Sequence, residues 1–140
     1  MRFERRFAAT EDAAGAVLIA ARAFVDRHVP QGVMTGDIVV VMAEAVNNVV
    51  EHAYCGVARQ DMCLSVELND EQAVIELRDR GRPIDGALLL RKQMPRIDGA
   101  VADLPEGGFG WPLIHALASG VRIDRSEDEN RLRLTVPFQA

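Results

Sequence analysis

Two pairs of alternating segments constrain this chain more than anything else in it. "MCLSVELND" and "QAVIELRD" both place apolar residues at every second position, and the polar residues Asn69, Asp70 and Glu71 join them. "VRIDRS" and "RLRLTVPF" repeat the device near the end, with a turn expected from Glu127 to Asn130. A two-residue period with a tight polar connection is the signature of antiparallel hairpins that bury one face. A sheet of this kind needs a second layer over its apolar side.

Helical patterns supply that layer. "MRFERRFAA" alternates as an opening strand, and Thr10 with Glu11 and Asp12 then marks a helix start with an acidic first turn. The helix runs through "AAGAVLIAARAFVDRH" and stops before Pro30 and Gly32. Asp37 is expected to cap a second helix, whose apolar face is Ile38, Val39, Met42, Val46, Val49 and Val50 and which Gly56 closes. "WPLIHALASG" is a third, short helix, with Pro112 in its first turn and Gly120 past its end. The long, weakly patterned connection before it, residues 86–107, suits a lid. The expected architecture is α+β, a two-layer sandwich of a mostly antiparallel sheet with helices on one face, forming a single domain over residues 1–140.

Composition narrows the function. With 140 residues, 49% hydrophobic and 26% charged, the chain is globular and large enough for a core. The net charge of −5 argues against nucleic acid or an anionic membrane as partner. Cys55 and Cys63 have no metal-ligand or disulfide spacing and read as two small buried thiols. The opening residues carry no signal peptide and no stretch is long enough to span a membrane, so a cytoplasmic location is expected.

Three features stand apart from the folding pattern. In "MAEAVNNVVEHAY" (42–54), Glu44, Asn48 and His52 fall four residues apart on one helix face. In "RDRGRPID", Asp79 ends a strand and Gly81 opens a turn. In "EGGFGWPLI", Gly107, Gly108 and Gly110 lead into a helix N-terminus, where unpaired N–H groups and the positive dipole end suit an anion. Each feature alone has an ordinary explanation: a solvated helix face, a turn, a glycine-rich loop. Their order does not.

In that order the three resemble the N, G1 and G2 boxes of the GHKL (Bergerat-type, histidine kinase-like) ATPase superfamily, and within it the anti-sigma-factor serine/threonine kinase branch. "DIVVVMAEAVNNVVEHAY" is similar to that branch's N box, "DRGRPID" to its G1 box and "GGFGWPLI" to its G2 box, and the resemblance covers essentially the whole chain. The Walker signature of P-loop enzymes is absent.

The resemblance implies ATP and Mg²⁺ as ligands. Asn48 would hold the Mg²⁺ that bridges the phosphates, and Glu44 would be the general base for a serine or threonine hydroxyl. Asp79 would accept a hydrogen bond from the adenine amino group and Gly81 would let the base pack on the backbone. Gly108 and Gly110 would cradle phosphates under the lid, and His52 would touch the nucleotide or cap the helix.

It also implies a homodimer that binds a sigma factor and phosphorylates a small STAS-type anti-sigma-factor antagonist. The alternatives are a non-catalytic ATP-gated binding module and a switch kinase that binds no sigma factor. The chain departs from the pattern twice. Trp111 and Pro112 stand where leucine usually follows the last glycine, and "ENRLRL" lacks the Gly-Thr of the family's final hairpin, which carries a water-linked adenine contact.

Overall fold

The computed structural model describes residues 1–52, 60–83 and 110–139. Strand β1 (Arg2–Phe7) leads into helices α1 (Glu11–His28) and α2 (Gly36–His52). Strands β2 (Met62–Leu68) and β3 (Gln72–Asp79) follow, then α3 (Gly110–Leu117), β4 (Gly120–Ser126) and β5 (Glu129–Pro137). The strands form one sheet in the order β1-β2-β3-β5-β4, and all four pairings are antiparallel. This is the two-layer α+β arrangement that the alternating segments require.

Register makes the core. Leu64, Leu77, Leu132 and Ile123 lie side by side across β2, β3, β5 and β4, with Val66, Ile75, Leu134 and Val121 in the next row. The helices cover this face: α1 lies over β1 and β2, while α2 lies over β3 and β5 and against both other helices. Val17, Ala21 and Val25 of α1 and Val41, Met42, Ala45 and Val46 of α2 close the layer, all buried. The other face of the sheet is charged, with ion pairs such as Arg78–Glu4 and Arg131–Glu76. Among the described residues no helix is long and apolar enough to cross a membrane.

Local details refine four sequence expectations. Thr10 caps α1 as expected, its hydroxyl accepting from the Ala13 N–H at 3.2 Å. Asp37 does not cap α2 but sits inside its first turn. Thr35 takes the boundary, its carbonyl accepting from Val39 N–H at 3.0 Å while its hydroxyl donates to Asp26 of α1 at 2.9 Å. The β4–β5 turn is the two residues Glu127 and Asp128, with φ of 53° and 65°, so Asn130 belongs to the strand. Positive φ at both positions matches the right-handed twist of a tight hairpin. Cys63 is only half-buried, because it lies on the charged face, where Arg78 Nη2 donates to its sulfur at 3.4 Å. Cys55, Gly56 and the proposed lid lie outside the described residues.

Candidate functional site

The core-facing row of β3 runs Ala73, Ile75, Leu77 and then ends in Asp79. The facing row of β5 runs Val136, Leu134, Leu132 and ends in Asn130, the register partner of Asp79. Both polar side chains are enclosed, with 2% of Asp79 and none of Asn130 exposed. Burying a carboxylate beside a carboxamide is unfavourable unless their polar atoms are bonded. Most of them are.

Asp79 Oδ1 accepts from the Gly81 N–H at 2.9 Å and from Asn130 Nδ2 at 3.0 Å. Asn130 Nδ2 also donates to the Arg82 carbonyl at 2.7 Å. Arg125 of β4 completes the network, its Nη1 donating to Asn130 Oδ1 and to the Gly81 carbonyl, each at 3.0 Å. The turn after β3 is therefore tied to β5 and β4 through side chains. Burial pushes the Asp79 carboxyl above its ordinary range, against the pull of Asn130, the Gly81 N–H and Arg125, and Glu129 adds to the rise. One atom is left over: Asp79 Oδ2 is buried with no partner. Such a carboxylate has one oxygen committed and one free to accept from a ligand N–H.

On α2, Asn48 is 6% exposed within a run of buried residues that includes Ala45, Val46, Val49 and Val50. Its Nδ2 is likewise buried without a partner. Glu44, one turn earlier, is half-buried, and His52, one turn later, is exposed with Nε2 3.5 Å from Glu51. The three share a line along the helix and three different environments.

Gly110 opens α3, followed by Trp111 and Pro112, both buried. Trp111 is thus a core residue at the helix start rather than part of an open turn. Gly108 lies outside the described residues. Because α2 packs on α3 and over β3, the elements carrying Glu44 and Asn48, Gly110, and Asp79 with Gly81 are neighbours.

The described donors are a buried carboxylate oxygen, a buried carboxamide and a helix start, a mixed set that suits a ligand carrying both N–H donors and anionic oxygens. No group of three His, Cys, Asp or Glu side chains that could hold a metal stands among the described residues. An ion at Asn48 would therefore share the ligand's own oxygens, as Mg²⁺ commonly does. Half a turn about χ2 brings the Asn48 carboxamide oxygen to the place of its unpartnered nitrogen, and nothing bonded to that nitrogen opposes it.

Asn130 and Arg125 were not legible as site residues from the sequence, where Asn130 reads as a turn residue. The available signal was parity: counting back by twos from Val136 places Asn130 on the core face.

A profile of the family described as histidine kinase-like ATPase domain matches residues 7–136. Two curated proteins, each named serine-protein kinase RsbW, are similar to this chain. The one from Halalkalibacterium halodurans is 36% identical over 94 residues, covering 66% of this chain and 55% of that protein. The one from Oceanobacillus iheyensis is 32% identical over 89 residues, covering 63% and 56%. The chain thus aligns with little more than half the length of these relatives. Among solved structures, that of RsbU and RsbW domains from Mycobacterium tuberculosis matches with a TM-score of 0.66 at 21% identity, covering 100% of this chain and 33% of that one. The SiaB–SiaC complex from Pseudomonas aeruginosa matches with a TM-score of 0.65 at 16% identity, covering 96% and 88%. At these identities the structural likeness is one of fold.

Proposed function

We propose that this chain, which belongs to the histidine kinase-like ATPase family, is an ATP-dependent serine/threonine protein kinase that acts as an anti-sigma regulatory factor. Its protein substrate would be a small STAS-type anti-sigma-factor antagonist, and its other partner a sigma factor, held by a homodimer. One observation carries the nucleotide part. The described buried side-chain atoms without a partner are Asn48 Nδ2 and Asp79 Oδ2, on the two residues whose motif positions imply contact with metal-bridged phosphates and with adenine. An unpartnered buried polar atom costs roughly 1–3 kcal/mol, and a ligand that satisfies it recovers that cost. The names of the two curated relatives support the kinase part.

The residues divide the work. Asp79 Oδ2 accepts from the exocyclic amine of adenine while Gly81, held against Asp79 Oδ1, gives the base a flat backbone to rest on. The start of α3 at Gly110 directs N–H groups toward phosphate oxygens. Asn48 would hold Mg²⁺, which when bound would supply charge neutralisation to the phosphates. Glu44, one turn from Asn48, takes the proton of the incoming serine or threonine hydroxyl. As that oxygen bonds to the γ-phosphorus, the bond from phosphorus to the β,γ-bridging oxygen breaks and ADP leaves with the electron pair. A positioned general base contributes about 10²–10⁴-fold, and positioning supplies most of the rest in phosphoryl transfer.

The test is transfer of labelled γ-phosphate from ATP to a purified STAS-type antagonist. Glu44→Gln is expected to lower transfer by about 10²–10⁴-fold while ADP affinity stays within a few-fold. No binding of ADP or ATP to the wild type would sink the nucleotide reading. Binding without transfer, unchanged by Glu44→Gln, would make the protein a non-catalytic ATP-gated switch.

A further inference from the structure

We propose that Arg125 and Asn130 are positioning residues that set which purine the site accepts, by holding Asp79 as a pure hydrogen-bond acceptor. The inference rests on the nucleotide reading above and adds two residues that the motifs do not mark.

The argument follows from which groups can donate. A guanidinium has donors only, so the oxygen of the Asn130 carboxamide must face Arg125 Nη1, 3.0 Å away. The amide nitrogen is thereby turned toward Asp79 and the turn after β3. Its two hydrogens are used on Asp79 Oδ1 at 3.0 Å and the Arg82 carbonyl at 2.7 Å. Asp79 Oδ1 then receives two N–H groups, one from Asn130 and one from Gly81. It has no role left except acceptor, and Oδ2, buried without a partner, is the oxygen left for a ligand.

Two charged groups bear on that carboxylate, Arg125 from β4, one strand beyond β5, favouring ionisation and Glu129 of the adjacent β5 opposing it. An ionised Oδ2 pairs with an amino group, as on C6 of adenine. A protonated one would donate, and would suit the 6-oxo group of guanine. Burial alone favours the protonated form, and the Arg125–Asn130 relay opposes it. The same relay fixes the turn, since Arg125 Nη1 also holds the Gly81 carbonyl at 3.0 Å. The Gly-Thr of the family's final hairpin is missing, and here Asn130 reaches the carboxylate directly.

The experiment is calorimetric titration of the full chain, with Mg²⁺ present, against ADP and GDP separately. Wild type, Asn130→Ala, Arg125→Met and Arg125→Lys are compared, with a thermal melt of each without nucleotide. The wild type is expected to prefer ADP. Asn130→Ala and Arg125→Met should cut the ADP-to-GDP affinity ratio by about tenfold or more, the size of one good hydrogen bond to a charged group. Arg125→Lys, which keeps a donor and the charge, should restore part of it.

A merely structural role would lower the melting temperature and weaken both nucleotides together, leaving the ratio unchanged. That result overturns the inference while the nucleotide reading stands. If the wild type binds neither nucleotide, both fall. Should Asn130→Ala not fold, Arg125→Met decides, because that side chain is one-third exposed and its removal spares the core.

Discussion

Replacing Asp79 with Asn should strengthen the empty fold and weaken its use. The substituted side chain keeps an oxygen for the Gly81 N–H and Asn130 Nδ2, which now lie 2.9 and 3.0 Å from Oδ1. It puts an amide nitrogen where the unpartnered Oδ2 stands and removes a buried charge. Because burial raises the Asp79 carboxyl above its ordinary value of 3.8, the folded protein binds that proton more readily than the unfolded chain. Stability therefore declines as pH rises from 3.8 through the folded value. Asp79→Asn lacks this decline, so its advantage grows as pH rises through the folded value and disappears in acid.

The new amide nitrogen also lacks a partner, so the gain comes from removing the buried charge alone and is about 1 kcal/mol, or about 4 °C in Tm for a domain of this size. Binding moves the other way. A hydrogen bond from adenine to a charged acceptor is worth roughly 1.5–3 kcal/mol, so ADP should bind roughly 10- to 150-fold more weakly. The assay pairs thermal melts at pH 4 to 8 with ADP calorimetry at neutral pH. A variant that melts lower at pH 7 yet binds ADP as tightly as wild type would refute both halves of the reasoning.

Two further outcomes concern the scaffold. Thr10→Ala removes the hydroxyl that caps α1 through the Ala13 N–H and should cost about 1 kcal/mol in urea unfolding, with an unchanged m-value. Asp128→Gly places the permissive residue at φ 65° in the β4–β5 turn and should add about 0.5 kcal/mol by the same measurement. The solvent-exposed contact it forfeits, Arg125 to Asp128 at 3.9 Å, contributes little.

The hairpins were legible in the sequence because a two-residue period ties each apolar side chain to one face. The pairings Leu64–Leu77 and Leu132–Ile123 follow from the pattern once the turns are placed. The acidic start of α1 was legible for a similar local reason, as a cap lies within four residues of what it caps. The α2 start was not, because Thr35 is engaged by Asp26 of a different helix. Asn48 and Asp79 could be picked out by motif, but not by burial: helical spacing alone would put Glu44, Asn48 and His52 in one environment. Only packing against α3 and the sheet separates a buried Asn48 from an exposed His52. Asn130 stayed hidden because its role depends on lying opposite Asp79, 51 residues away in the chain.

The order of strands has a consequence for how this site breathes. Asp79 and Asn130 stand on β3 and β5, each hydrogen-bonded on both sides, whereas Arg125 rides on β4, which among the described residues closes the sheet and is bonded on one side only. Edge strands fray before inner ones, with free energies well below that of global unfolding. When β4 peels away, the guanidinium leaves with it, and the carboxylate and carboxamide stay paired behind. Such an opening would leave the acceptor in place with its clamp released, at a cost below that of unfolding the whole sheet.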